Sequence, residues 1–166
     1  MFASLGHSDD VHSGAAGRVV GEAMVRRIGK PLAAAVSPED EALIRSFVVS
    51  SKQERYLGFI ASPRRRPKFT GALYHFADFD RACLVEIAPR DQTTEAIEVL
   101  LTRRGAPKSC YVVSTNEQID QKTLPLAEVL RIIVGGPDGT VLSCIRWHLG
   151  YYEGESPSNR ALLVRR

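Results

Sequence analysis

From residue 37 onward, apolar positions recur first at helical and later at strand spacing. Ser37-Pro38-Glu39-Asp40 has the chemistry of a helix start: a hydroxyl cap, proline in the first turn, then acids. The helix it opens carries Leu43, Ile44 and Phe47 inward. Ser51-Lys52-Gln53-Glu54 has the form of a capping box and opens a second helix, with Tyr56, Phe59 and Ile60 as its apolar face. After Ser62-Pro63, Phe69, Leu73 and Phe76 recur at i, i+4, i+7, which predicts a third core-facing stripe and leaves Arg64, Arg66 and Lys68 in water.

The pattern then changes. Cys83–Ile87 and Cys110–Val113 are short apolar runs that read as strands. Between them Asp91 is placed to cap a helix carrying Ile97, Leu100 and Leu101, which stops at Arg103-Arg104-Gly105. Leu126, Val129, Leu130 and Ile133 mark another helix, ended by Gly135-Gly136. Gly136-Pro137-Asp138-Gly139 is turn chemistry. Three strand patterns follow, over Thr140–Arg146, His148–Tyr152 and Ala161–Val164. Helices first, then mixed elements, then strands predict an α+β fold. It is a single domain over 37–166, with N-terminal helices over 38–76 and a small, mostly antiparallel sheet with two helices packed on it.

Residues 1–36 differ in pattern. They are small, polar and glycine-containing, with one short helical spacing at Val20, Met24 and Ile28, and are expected to form a loosely ordered extension.

Composition narrows the class. Hydrophobic content of 44% over 166 residues supports a packed core without staples. No apolar run reaches the length of a membrane span, and the N-terminus lacks the basic-then-apolar form of a secretory signal. Cys83, Cys110 and Cys144 are widely spaced, which predicts buried, reduced thiols in a cytoplasmic protein with no disulfide.

Charge is concentrated in one place. Lys52 to Lys68 holds six cations and one acid, a local balance of +5 in a chain whose net charge is +3. Arg64, Arg65, Arg66 and Lys68 therefore form a candidate binding surface for an acidic protein partner or, through aromatics such as Tyr56, Phe59, Phe69 and Tyr74, for nucleic acid. Aromatics committed to the core are not free to stack on bases, so the acidic protein is the preferred partner.

His75, Asp78 and Asp80 are the weaker alternative, a small enzyme or metal site built from an imidazole and two carboxylates within six residues. No further ligand motif accompanies them. Cys144 and His148 face the same way on a strand but stand about 13 Å apart, too far for a nucleophile and its base. Glu153-Gly154-Glu155 reads as an exposed acidic tip, and the glycines at 135–139 follow a helix rather than open one, unlike a phosphate loop. No cofactor is expected.

The pieces Glu54-Arg55-Tyr56, His75-Phe76-Ala77-Asp78, Gly105-Ala106-Pro107, Cys110–Val113, Leu124-Pro125-Leu126, Gly139–Ile145 and Tyr151–Glu155 together resemble a group of bacterial hypothetical proteins, from about residue 43 onward. The resemblance implies a single cytosolic domain and brings no catalytic residue with it.

Overall fold

The computed structural model describes residues 36–165. The expectations for residues 1–35, including the Val20–Met24–Ile28 helix, lie outside the described residues. Helix α1 (Pro38–Phe47) is capped as its sequence requires: Ser37 Oγ accepts from Asp40 N at 3.0 Å, and Pro38 opens the first turn.

Helix α2 (Ser50–Ile60) starts two residues earlier than the capping box predicts, and no side chain caps it. The residues of that motif are drawn to α1 instead. Gln53 Nε2 donates to the carbonyls of Arg45 and Val48, and Glu54 pairs with Arg45 Nη1. The open carbonyls at the end of α1 thus take Gln53, and the guanidinium of Arg45 takes Glu54, the side chain that would have closed the start of α2. Helix α3 (Arg66–Thr70) runs into a 3-10 turn, Gly71–His75.

Then follow β1 (Leu84–Glu86), α4 (Thr94–Thr102), β2 (Ser109–Ser114), β3 (Thr123–Pro125), α5 (Leu126–Ile133), β4 (Thr140–Ile145), β5 (Leu149–Glu153) and β6 (Arg160–Val164). Asp91 does not cap α4; it sits in a 3-10 turn, and Thr93 Oγ1 accepts from Ala96 N instead.

The strands form one sheet in the order β1-β6-β5-β4-β2-β3, every neighbouring pair antiparallel. The fold is α+β, as the order of patterns predicts. Strand alternation divides the core in two. Val113, Val141, Tyr152 and Leu163 face α1–α3, meeting Leu43, Phe47, Phe69 and Leu73. Val112, Leu142, Tyr151 and Leu162 face α4 and α5, meeting Ile97, Leu101, Val129 and Ile133.

Two contacts fix the 3-10 turn against the sheet. Tyr152 OH accepts from Phe76 N at 3.0 Å and donates to Leu73 O at 2.7 Å. Gly139, at the start of β4, lies so close to the turn that a Cβ there would stand 2.6 Å from Leu73 C and Tyr74 N. Glycine is required at 139 by that approach.

Glu153 is not part of an exposed tip. It is fully buried, and its Oε1 accepts from Arg160 Nε at 2.7 Å and Gly135 N at 3.1 Å, while Tyr151 OH donates to Oε2. It lies directly across from Arg160 in the β5–β6 register, so the pair joins two strands to the turn that ends α5.

Candidate functional site

The basic run divides at α3. Ser62 O accepts from both Arg65 N and Arg66 N at 2.8 Å, a turn that sends the next residues into the short helix. Helical spacing then puts Arg66 on the face of Phe69 and Thr70, and Lys68 outside. The expectation that Arg66 lies in water is corrected: it is 7% exposed. Its Nε and Nη2 grip both oxygens of Asp120 at 2.7 and 2.9 Å, and Nη1 reaches Asp40 Oδ2 at 3.0 Å.

The two carboxylates are themselves held, Asp120 Oδ1 by Ser114 N and Asp40 Oδ1 by Tyr111 OH. Burial works against the charge on Arg66, but the bond to Asp120 and the charge of Asp40 outweigh it, so the guanidinium is held charged more firmly than an ordinary arginine. Burial pushes Tyr111 up to about 12, with Asp40 adding to it.

Arg64, Arg65 and Lys68 remain at the surface, joined there by Arg55. Among the described residues none of these four lies in an ion pair. Three of them surround Phe59: Arg65 Cζ at 4.9 Å from the ring centroid, Arg55 Cζ at 5.4 Å and Lys68 Nζ at 6.0 Å. Phe59 itself is half-buried rather than a core residue, while Tyr56 and Ile60 beside it are buried. Such cation–ring contacts contribute about 0.5–1 kcal/mol each at exposed sites, enough to order the side chains without neutralising them.

His75, Asp78 and Asp80 are engaged separately. His75 is 71% exposed and its Nε2 meets Glu155 Oε2 at 2.7 Å. Asp78 Oδ2 accepts from Tyr56 OH at 2.5 Å, and Asp80 Oδ1 caps the following 3-10 turn by accepting from Ala82 N at 3.0 Å. The structure brings the three to no common partner. Among the described residues no group of three or more His, Cys, Asp and Glu is placed to hold a metal ion.

Cys83, Cys110 and Cys144 are free and buried, as their apolar settings predict. Cys110 and Cys144 come from neighbouring strands, and their contact together with burial pushes the Cys144 thiol well above its ordinary value, the opposite of an activated nucleophile.

Two features escape the sequence pattern. One is a cavity of about 420 Å³ between the 63–71 segment and the 114–121 turn, with Arg66 and Asp120 in its wall. The other is Trp147, at the tip of the β4–β5 hairpin, 48% exposed and held at φ +68°. A connection this tight between paired Ile145 and Leu149, with no glycine or asparagine, obliges an ordinary residue to take the left-handed region. That absence was the available signal.

The chain matches no protein-family model, no curated protein and no solved structure. Its geometry is the basis for assigning it a role.

Proposed function

We propose that the protein is a non-enzymatic interaction module of the cytoplasm whose Arg55, Arg64, Arg65 and Lys68 surface, centred on Phe59, docks an acidic protein partner. The observation that carries this reading is that, among the described residues, four exposed cations have no ion-pair partner, three of them around the half-buried Phe59 ring. An exposed cation left without a carboxylate of its own chain contributes little to folding and retains its field for a partner. Arg66 is not part of the docking surface in this reading; it supports α3 from below.

Nucleic acid is the second reading, and the partial exposure of Phe59 is what favours it. Against it, the ring already has two guanidinium groups over it, so a base would have to displace them to stack. Carboxylates need no such displacement and meet the guanidinium edges directly. An enzymatic role for His75, Asp78 and Asp80 would need their side chains at one substrate, whereas Asp78 is occupied by Tyr56 and Asp80 by a backbone amide.

A competition assay separates the first two. A fluorescent glutamate-rich peptide and a single-stranded oligonucleotide of equal charge are titrated at increasing salt. Preference for the peptide, with a shallow salt dependence, supports an acidic protein partner. Preference for the oligonucleotide, with a log–log slope of roughly one unit per phosphate contact, would transfer the surface to nucleic acid.

A further inference from the structure

We propose that the cavity beside Arg66 binds a compact primary ammonium group, an interaction separate from the basic surface. Its walls come from two elements fixed against each other by the Arg66–Asp120 bonds: α3 with its proline-flanked approach, and the turn after β2. At about 420 Å³ it admits a small molecule and excludes a polymer.

Three observations set the chemistry. First, Asp40 and Asp120 share one guanidinium, so acids outnumber cations by one in this largely buried group, and the exposed Glu117 adds a further acid on the cavity wall. Buried charge is costly unless balanced, and a further cation in the cavity balances it. Second, Asp120 retains an acceptor site. Its Oδ1 receives Arg66 Nη2 and Ser114 N, while Oδ2 receives Arg66 Nε alone. Third, Thr70 is 8% exposed and lines the cavity, and no hydrogen bond among the described residues reaches its hydroxyl. It is not among the solvent-excluded orphans, where only Ser46 Oγ stands, so the hydroxyl of this cavity-lining residue keeps contact with solvent.

Asp120, Glu117 and Thr70 thus offer three acceptors to the three N–H bonds of an ammonium group. An anion fits poorly. Three of the five N–H bonds of Arg66 are already engaged by carboxylates, and an incoming acid would face Asp120 and Glu117.

The test titrates n-butylamine into the full chain at neutral pH, with n-butanol and butyrate as controls, followed by amide chemical shifts and calorimetry. Saturable binding of the amine alone is expected, with shifts at residues 66–71 and 114–121. Thr70→Val removes the hydroxyl but not the volume, and Glu117→Gln removes one charge. Each is expected to weaken the amine by about tenfold or more while leaving the unfolding midpoint in place. Replacing Arg65 and Lys68 with glutamine is expected to leave amine binding unchanged, which keeps this proposal distinct from the docking surface. No saturation by about 50 mM amine, far weaker than a millimolar site, would overturn the proposal. So would equal binding of butyrate, or an affinity unmoved by both Thr70→Val and Glu117→Gln.

Discussion

Arg64, Arg65 and Arg66 are the same residue three times over, yet they have different fates. Arg66 opens α3 and shares the inward face of Phe69 and Thr70, while Arg65, ahead of the helix at its cap position, and Lys68 stay exposed. Phe69 was legible as core, but which arginine shares its face was not, since Arg65 and Arg66 both stand about one helical turn before it. The partners were not, because Asp40 and Asp120 lie 26 and 54 positions away and meet Arg66 only once the sheet is assembled. The consequence is measurable. Arg66→Gln leaves two buried carboxylates uncompensated and is expected to cost about 3–5 kcal/mol by urea unfolding. Arg64→Gln or Arg65→Gln is expected to cost less than about 1 kcal/mol. Equal effects at the three positions would refute this division. Trp147 is a second residue-scale case. Its left-handed backbone costs an ordinary side chain about 1–2 kcal/mol, so Trp147→Gly is expected to hold or raise the unfolding midpoint. A clear loss of stability would mean that the indole packs more than its exposure indicates.

At the scale of elements, the apolar periodicity located all five described helices and five of the six strands, because each buries one face against a core. The exceptions have local causes. Strand β3 is three residues long, and its exposed, partly buried, exposed pattern leaves no periodic signal. The α2 cap failed because Gln53 and Glu54 serve α1, a competition between neighbouring helix ends that no single motif reveals. Glu153 shares its face with Leu149 and Tyr151, so its inward direction followed from alternation. Its match with Arg160 depended on the length of the connection between β5 and β6. The 3-10 turn after α3 depends on one hydroxyl. Tyr152→Phe strands the buried Phe76 N–H and is expected to cost about 1–3 kcal/mol, with amide exchange quickening first around residues 71–76. Loss of stability without that local quickening would argue against the turn as the element being held.

Across the described residues, two layers of helices enclose a sheet whose edge strands, β1 and β3, are each three residues long. Short edges offer little template for pairing with another chain, which suits the proposed docking through side chains better than strand addition. The enclosure also shapes the response to alkali. Burial, with the bond to Asp78 adding, raises Tyr56 to about 12, and burial raises Tyr111 to about 12. A phenol whose pKa is higher folded than unfolded holds its full contribution below the unfolded value, near 10, and loses it as pH rises through the folded one. Stability is therefore expected to fall between pH 10 and 12, and Tyr56→Phe is expected to flatten part of that fall. A loss beginning nearer pH 9 would belong to the raised Cys144 thiol, whereas a Tyr56→Phe chain that falls as steeply as the native one between pH 10 and 12 would contradict the role of Tyr56.

The account rests most heavily on the exposed cations around Phe59 being a docking surface and not a support for the fold. The direct measurement is the association rate of a glutamate-rich peptide at low salt, for the native chain and for one carrying Arg64→Gln, Arg65→Gln and Lys68→Gln. The triple variant is expected to keep an unfolding midpoint within a few degrees of the native one and to associate about tenfold or more slowly, the difference closing as salt is added. An unchanged association rate in a folded triple variant, or a variant that unfolds readily, would contradict it.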